Sequence, residues 1–152
     1  MPHPSEPRSQ FSGETLQFMQ RVWDLVHSLD VKSKKMAREI GVTSPQRLVL
    51  RIVGQKPGQT ASEIASTLGK HPSTLTGVLA RLEARDLLVR SADADDRRRA
   101  RFHLTAAGKK IDRERRGTVE ASTRRALARA EPAAVSSMMS LVDILIEELA
   151  RD

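Results

Sequence analysis

The chain has 152 residues, which fits one domain with or without dimerisation extensions, and its core must be aliphatic because only 3% of the residues are aromatic. Lys and Arg number 26 against 19 Asp and Glu, and the resulting net charge of +7 favours polyanions as partners, most often nucleic acid. The sequence contains no cysteine, which excludes disulfides, thiolate nucleophiles, thiolate zinc sites and cysteine redox switches.

The first 42 residues divide into a tail and a helical region. Residues 1–12 are polar and rich in proline, and they predict a disordered tail without the apolar centre of a signal peptide. Residues 13–42 carry apolar side chains at three- and four-residue steps, which predicts amphipathic helices. The periodic positions are Leu16, Met19, Val22, Val26 and Leu29. Because no run of about 18 apolar residues occurs, we expect no membrane span and a cytoplasmic protein.

Three short helices with clear boundary signals follow. Residues 43–46 and 60–63 each have Thr at the cap position and Gln or Glu three residues later, the pattern of a capping box. The first helix should end at the Lys-Pro-Gly of residues 56–58, the second ends at Gly69, and Pro72 opens the third. The first helix is expected to bury Leu48, Leu50, Ile52 and Val53. Two short helices joined by a tight glycine turn predict a helix-turn-helix.

After residue 86 the apolar spacing changes from 3.6 residues to two, the spacing of strands. Residues 87–90 and 99–104 are predicted strands, and the charged loop 91–98 between them completes a hairpin. A hairpin directly after a helix-turn-helix is a wing. The predicted fold class is therefore mainly α with a minor β part (α+β): a winged helix-turn-helix over residues 43–104, between long N- and C-terminal helices.

Residues 105–152 predict C-terminal helices. The first should run from its cap, Thr105, to about Ala130, where Glu131-Pro132 breaks it. The last helix carries apolar residues at alternating three- and four-residue steps, the spacing of a short coiled-coil-like seam.

Four stretches together resemble the MarR family of bacterial transcriptional regulators over roughly residues 43–108. The stretches are Thr43-Ser44-Pro45-Gln46, Glu63-Ile64-Ala65 through Leu68-Gly69, Pro72-Ser73-Thr74-Leu75-Thr76 with Arg81-Leu82-Glu83, and Asp96-Arg97-Arg98 with Leu104-Thr105-Ala106-Ala107-Gly108. Any one of these stretches is weak evidence, whereas all four in this order and spacing are strong. The chain departs from the family pattern at Gly77, where a long polar residue is usual, and at Asp86, where glycine is usual.

The resemblance implies a homodimer in which residues 13–42 and 105–152 interleave with those of the partner. The expected dimer contacts are Leu16, Met19, Val22, Val135, Met138, Val142, Leu145 and Leu149. Packing of both helices within the monomer alone is the alternative. Two DNA-binding units on one dimer would bind a pseudo-palindromic operator, with half-sites about one helical turn apart.

The helix that begins at Pro72 is the expected recognition helix, with its N-terminal end in the major groove of DNA. Its first turns and the turn before it carry short polar or basic side chains that suit bases or phosphates. The candidate residues are Lys70, His71, Ser73, Thr74, Thr76 and Arg81. His71 suits a helix cap equally well, and Ser73 and Thr74 alternatively only satisfy the helix start.

The wing supplies the second set of candidates, because Arg97, Arg98, Arg99 and Arg101 put four guanidinium groups into five positions. An arginine run is usually a solvated face, but on a wing it favours contact with phosphate or a narrow minor groove. The family resemblance suggests that Arg98 inserts into the groove and that Asp96 steadies the loop through an ion pair.

Other classes of function fit the sequence less well. The histidines are scattered, and no metal-spaced cluster, phosphate loop or Ser-His-Asp pattern occurs, so we expect no enzyme, metal or cofactor. The acidic residues Asp93, Asp95 and Asp96 resemble a metal loop, but the neighbouring arginines oppose one. A non-specific or architectural DNA-binding protein is the alternative that Gly77 favours. A module that binds only protein is disfavoured by the arginine-rich wing.

The resemblance further implies a ligand-responsive repressor whose effector is a small lipophilic or phenolic molecule. Trp23, His27 and Met36 are candidates to line a ligand pocket, although all three suit the core equally well. The protein sequence does not identify the operator or the effector.

Overall fold

The computed structural model describes residues 8–151, with side chains from residue 13 onward. The chain consists of two compact units, and the boundary between them in the sequence falls between Glu114 and Arg115. The helices and strands are α1 (Arg8–Glu39), α2 (Ser44–Gln55), β1 (Gln59–Thr60), α3 (Ala61–Leu68), α4 (Pro72–Ala84), β2 (Leu88–Ala92), β3 (Ala100–Leu104), α5 (Ala106–Arg113), α6 (Val119–Leu127) and α7 (Pro132–Leu149). This order confirms the predicted winged helix-turn-helix fold.

The helix starts follow the capping signals in the sequence. The Gln46 side chain accepts a hydrogen bond from the Thr43 N–H at 3.0 Å, and the Glu63 carboxylate accepts one from the Thr60 N–H at 2.7 Å. Each bond satisfies a backbone donor that a helix start leaves without an intrahelical partner. At the end of α3, Gly69 adopts the left-handed conformation (φ 61°) that ends helices without strain.

The core of the first unit lies between α2, α3, α4 and the wing strands. Its buried residues are Val42, Val49, Leu50, Ile52, Val53, Ile64, Ala65, Leu75, Leu79, Leu82, Leu87, Leu88 and Phe102. The prediction for Leu48 is wrong, because this side chain is 50% exposed. Helical geometry explains the error: residues 49, 50, 52 and 53 form one stripe along α2, and position 48 lies outside it.

The three strands form one antiparallel sheet in the order β1-β3-β2. Leu88 is the Cα partner of Leu104, and Ala92 is the partner of Ala100. The wing, residues 88–104, therefore begins and ends close to the predicted strand positions. The short strand β1 was not predicted, since two residues are too few to show a period of two.

The prediction of one helix from residue 105 to 130 is wrong. Residues 114–118 separate α5 from α6, with Gly117 at a φ of 72° and Thr118 accepting a hydrogen bond from the Ala121 N–H at 3.2 Å. The fully buried Arg47 donates hydrogen bonds to the carbonyls of Ile111 and Glu114, which lie at the end of α5. These donors come from a distant helix and act at a helix end, where backbone N–H donors within the helix run out.

The terminal helices differ from expectation at one boundary. Helix α1 begins at Arg8, so part of the predicted 1–12 tail is helical, while the rest, residues 1–7, lies outside the described residues. Many apolar side chains of α1 and α7 stay exposed in the single chain. Among the expected dimer contacts, Met19, Val22, Val135 and Leu145 are half-buried, and Leu16, Met138, Val142 and Leu149 are exposed. No helix within residues 8–151 is long and apolar enough to cross a membrane.

Candidate nucleic-acid interface

The N-terminal end of α4 is an exposed polar surface. His71 caps the helix, since its Nδ1 accepts a hydrogen bond from the Ser73 N–H at 3.3 Å and lies 2.7 Å from the Ser73 Oγ. The Thr76 hydroxyl is 3.4 Å from the Pro72 carbonyl, whereas the Thr74 side chain makes no hydrogen bond to the described part of the chain. These side chains face solvent, and the capping role considered for His71 is the one that the free protein adopts.

Arg81 lies against the surface that Gly77 leaves open on the same helix. A Cβ atom built at Gly77 would be 3.7 Å from both Nη atoms of Arg81. Side chains on a helix lean toward its N-terminus, so a residue four positions later reaches back over the earlier one. Within residues 8–151 the Arg81 guanidinium forms no hydrogen bond or ion pair, and its donors are free for an outside acceptor.

The wing tip, residues 93–99, is held by the buried carboxylate of Asp93. This carboxylate accepts hydrogen bonds from the N–H groups of Asp95 at 2.8 Å and Asp96 at 3.3 Å. The Asp93 N–H in turn donates to the Arg99 carbonyl at 3.0 Å. The hydrogen bond from the Asp95 N–H, more than any other contact, lowers the pKa of Asp93 and keeps it ionised.

Arg97, Arg98 and Arg99 project from this tip. The Arg98 side chain is 93% exposed, and its Nε lies 3.4 Å from a carboxylate oxygen of Asp96. The Arg99 Nε lies 3.6 Å from the other oxygen of Asp96. Arg97 is exposed and has no protein partner among the described residues. The Asp96–Arg98 ion pair expected from the sequence is therefore present, and contact of these side chains with DNA stays a prediction.

Arg101 differs from Arg97, Arg98 and Arg99 because both terminal nitrogens of its guanidinium contact acceptors of the protein. Its Nη1 donates to the Gly58 carbonyl at 2.8 Å, and its Nη2 lies 2.7 Å from the Asp93 carboxylate. The sequence analysis grouped Arg101 with Arg97, Arg98 and Arg99 as candidates for DNA contact. The alternation of residues along a strand does not indicate that the Asp93 carboxylate and the Gly58 carbonyl lie within hydrogen-bonding distance of the Arg101 guanidinium.

A second ion pair that the sequence analysis missed joins the recognition helix to the wing. The Arg90 Nε and Nη2 donate to the two carboxylate oxygens of Glu83, and the Arg90 guanidinium lies 5.7 Å from the centre of the Phe102 ring. The hydrogen bonds from Arg90 lower the pKa of Glu83. A two-bond contact of this kind restricts the orientation of α4 relative to β2. Glu83 and Arg90 are seven residues apart, with the end of α4 and a turn between them. No helical or strand spacing in the sequence therefore indicates this ion pair.

The residues considered for a ligand pocket are not brought together by the structure. Met36 is fully buried, while Trp23 is 66% exposed. A pocket of about 310 Å³ lies instead between α2, β3 and α5, where Val53, His103 and Lys109 are among the lining residues. No group of three metal-ligating side chains occurs in the described part of the chain.

A helix-turn-helix followed by a hairpin with exposed arginines defines a winged helix-turn-helix protein. The sequence pattern of the MarR family matches residues 42–100 of this chain. The match extends over 59 positions that contain α2, α3, α4 and most of the wing.

Relatives with similar sequences are transcriptional regulators rather than enzymes, in agreement with the prediction. The transcriptional regulator HosA of Escherichia coli O157:H7 is 40% identical over 70 residues, 46% of this chain and 52% of that protein. The transcriptional repressor Rv2887 of Mycobacterium tuberculosis is 31% identical over 90 residues, 59% of this chain and 65% of that protein. The chain thus spans between about half and two thirds of the length of these curated relatives.

Solved structures share the fold at low sequence identity. The Staphylococcus aureus MepR–DNA complex has a TM-score of 0.70 at 21% identity, and the alignment covers 87% of this chain and 96% of that one. The PcaV regulator from Streptomyces coelicolor, solved with its natural ligand, has a TM-score of 0.66 at 22% identity and coverages of 97% and 98%. The structural similarity therefore covers more of the chain than residues 42–100, the region that the family pattern matches.

Proposed function

We propose that this protein is a transcriptional regulator that binds duplex DNA in a sequence-specific manner. The observation that carries the proposal is the wing tip, where Arg97, Arg98 and Arg99 project into solvent from a loop fixed by buried Asp93. Guanidinium groups on a fixed loop lose less rotamer freedom on binding phosphate or a narrow minor groove than groups on a mobile one. The DNA complex of the structurally similar MepR supports the same interpretation.

The recognition helix α4 supplies the base contacts in this proposal. Its exposed N-terminal turns carry Thr74 and Thr76, and Arg81 reaches back over Gly77 to the same surface. A planar guanidinium suits the O6 and N7 acceptors of guanine in the major groove. Arg81 therefore replaces the side chain that Gly77 lacks.

The protein binds DNA as a homodimer in this proposal, because one recognition helix and one wing give few base contacts. The exposed apolar side chains of α1 and α7 support self-association. A two-fold axis between two winged helices makes the preferred operator a pseudo-palindrome.

A ligand-responsive repressor is the finer form of the proposal. The repressor Rv2887 is similar in sequence, and PcaV, which is similar in fold, was solved with a natural ligand. The test is to add lipophilic and phenolic compounds to the protein–DNA complex. Release of the DNA supports an effector, and unchanged binding with all of them removes this part of the proposal.

The main experiment selects binding sites from random duplex DNA with purified protein, then measures affinity for the selected site against competitor DNA over a range of salt. Enrichment of a palindromic site, with affinity lost in Arg98→Ala, is the expected result. Enrichment of no sequence would favour the architectural alternative, which Gly77 supports because it cannot contact a base through a side chain. No binding even at low salt would overturn the proposal.

A further inference from the structure

Of the four arginines in residues 97–101, only Arg101 has both terminal nitrogens of its guanidinium in contact with protein acceptors. Arg101 donates to the Gly58 carbonyl at 2.8 Å and pairs with Asp93 at 2.7 Å, whereas Arg98 and Arg99 have only the longer contacts to Asp96. The Asp93 side chain is 5% exposed, whereas that of Arg101 is 41% exposed, so the pair joins a buried carboxylate to a half-buried guanidinium. The role of Arg101 is therefore separate from that of its neighbours.

Gly58, whose carbonyl accepts the hydrogen bond from Arg101, lies in a turn next to the wing. Its φ of 81° is a conformation that residues with a Cβ rarely adopt, and its N–H donates to the Phe102 carbonyl at 2.9 Å. The turn before β1 is thus tied to the wing twice, through the backbone at Phe102 and through the side chain at Arg101. Glu63 is a further acidic group whose field acts on Arg101, although Glu63 is itself bonded to Thr60.

From Arg101 the contacts continue to the wing tip. Asp93 receives the Arg101 guanidinium on one oxygen and the N–H groups of Asp95 and Asp96 on the other. The carboxylate of Asp96 in turn accepts from the N–H of Arg98 at 3.0 Å. An unbroken series of polar contacts therefore connects the Gly58 turn, next to the start of α3, with Arg98, whose side chain is 93% exposed.

We infer that Arg101 and Asp93 are positioning residues for DNA binding: together they fix the wing tip so that Arg97 and Arg98 are presented to DNA, and Arg101 itself does not contact it. This inference rests on the proposed DNA-binding function. A phosphate contact through the two terminal nitrogens of Arg101 would compete with the Gly58 carbonyl and with Asp93. Taking the guanidinium from Asp93 would leave a buried carboxylate without its partner, which is unfavourable.

The two roles predict opposite effects of Asp93→Asn. If charge alone mattered, removing a carboxylate beside the wing arginines would strengthen binding to a polyanion. If Asp93 positions the tip, the amide weakens both the Arg101 pair and the turn, and binding weakens roughly tenfold because more backbone must be ordered on binding. Because Asp93 and Arg101 act through one contact, the double variant with Arg101→Gln should bind no more weakly than the worse single variant.

The salt dependence of DNA affinity separates positioning from contact. Arg97→Gln is the matched control, since it removes the same charge from an exposed arginine without a described protein partner, and a lost phosphate contact lowers the slope of log affinity against log salt by about 0.9. Arg101→Gln should keep the wild-type slope and bind more weakly at every salt concentration. Arg101→Lys should resemble Arg101→Gln, because a single ammonium cannot reproduce the fork that joins two acceptors.

Amide hydrogen exchange in the DNA-free protein supplies a readout that does not depend on DNA binding. The N–H groups of Asp95, Asp96 and Arg99 should exchange faster in Arg101→Gln, while the amides of α4 stay protected and show that the variant is folded. A lower salt slope in Arg101→Gln, tighter binding by Asp93→Asn, or unchanged exchange at the tip would each overturn the inference. If the wild type does not bind DNA but the variant exchanges faster, the proposed function is overturned, and only the part of the inference that Arg101 fixes the wing tip remains.

Discussion

Among single side chains, Arg81 is the one for which we make the most specific prediction, which concerns the sequence specificity of DNA binding. Its guanidinium lies against Gly77 on the exposed face of α4, where a base edge is the acceptor it suits best. We expect Arg81→Ala to lower the ratio of specific to non-specific affinity about tenfold, the lower part of the range for one bidentate base contact. Fluorescence anisotropy with the selected site and a scrambled duplex measures that ratio.

Arg85→Ala is the matched control for Arg81→Ala. Arg85 follows one turn later at the end of the same helix and has no hydrogen bond or ion pair with residues 8–151. Its removal should weaken binding to both duplexes alike, and by less. If Arg81→Ala also weakens both duplexes by the same factor, Arg81 contacts phosphate and the base-reading role is wrong.

Two glycines should respond in opposite ways to substitution by alanine. A Cβ at Gly108 in α5 would overlap with the Leu87 carbonyl, so Gly108→Ala should reduce the free energy of unfolding by about 1–3 kcal/mol. Gly13 in α1 has nothing within 4 Å, and Gly13→Ala should increase the free energy by roughly 0.5–1 kcal/mol because alanine favours helix. Urea denaturation measures both, and equal effects of the two variants would contradict the packing argument.

The sequence is most informative at positions where the conformation depends on one residue and its own backbone. Asp86, which stands where the family pattern usually has glycine, lies in the left-handed region (φ 53°), a conformation that Asp tolerates, and its carbonyl accepts a hydrogen bond from the Thr105 hydroxyl at 2.6 Å. Arg101 shows the opposite case. Its partner Gly58 lies 43 positions earlier and its partner Asp93 lies in the loop after β2, so only the folded sheet brings the three together.

The ion pair between α4 and β2 makes the attachment of the wing sensitive to acid. Arg90 lowers the pKa of Glu83 from its ordinary value of 4.5, so the pair stabilises the fold above that pH and the benefit is lost as pH falls through the lower folded value. The contribution is about 1 kcal/mol or less, because the Arg90 side chain is 59% exposed. Glu83→Gln should therefore flatten the loss of unfolding free energy below about pH 5.

Denaturant titrations at several pH values check this expectation. Some acid sensitivity should remain in Glu83→Gln, because hydrogen bonds from backbone N–H groups also lower the pKa of Asp93 and Glu63. An unchanged dependence on pH in the variant would show that the pair does not stabilise the folded state.

Among the helices and strands, those with local boundary signals were predicted and those without were not. Thr60 with Glu63, Gly69 and Pro72 marked α3 and α4 correctly, since caps and turns depend on neighbouring residues. The separation of α5 from α6 was missed although Gly117 and Thr118 are themselves a turn and a cap. The surrounding basic, helix-favouring residues outweighed that signal, and the bonds from Arg47 to the end of α5 are visible only in the fold.

For the chain as a whole, the apolar surface of α7 decides whether the protein functions alone or in pairs. On a helical projection Val135, Met138, Val142 and Leu149 fall within one stripe, and all four are at least partly exposed in the single chain. Such a stripe is unfavourable in water unless it is covered, and a second copy covers it with an equal surface. The sequence predicted the stripe because its period is local, but not which residues of a partner would meet it.

Val142→Glu should therefore convert a dimer of twice the 16.9 kDa chain mass into monomers, because a buried unpaired carboxylate opposes association. Ser140→Glu is the matched control, since Ser140 lies on the opposite side of α7 and its hydroxyl bonds to the Ser136 carbonyl. Sedimentation measures the masses, and binding to the selected palindrome should weaken only in Val142→Glu. If Val142→Glu stays dimeric, or if the wild type is monomeric at micromolar concentration, the α7 stripe does not mediate self-association, and a pseudo-palindromic operator loses its structural basis.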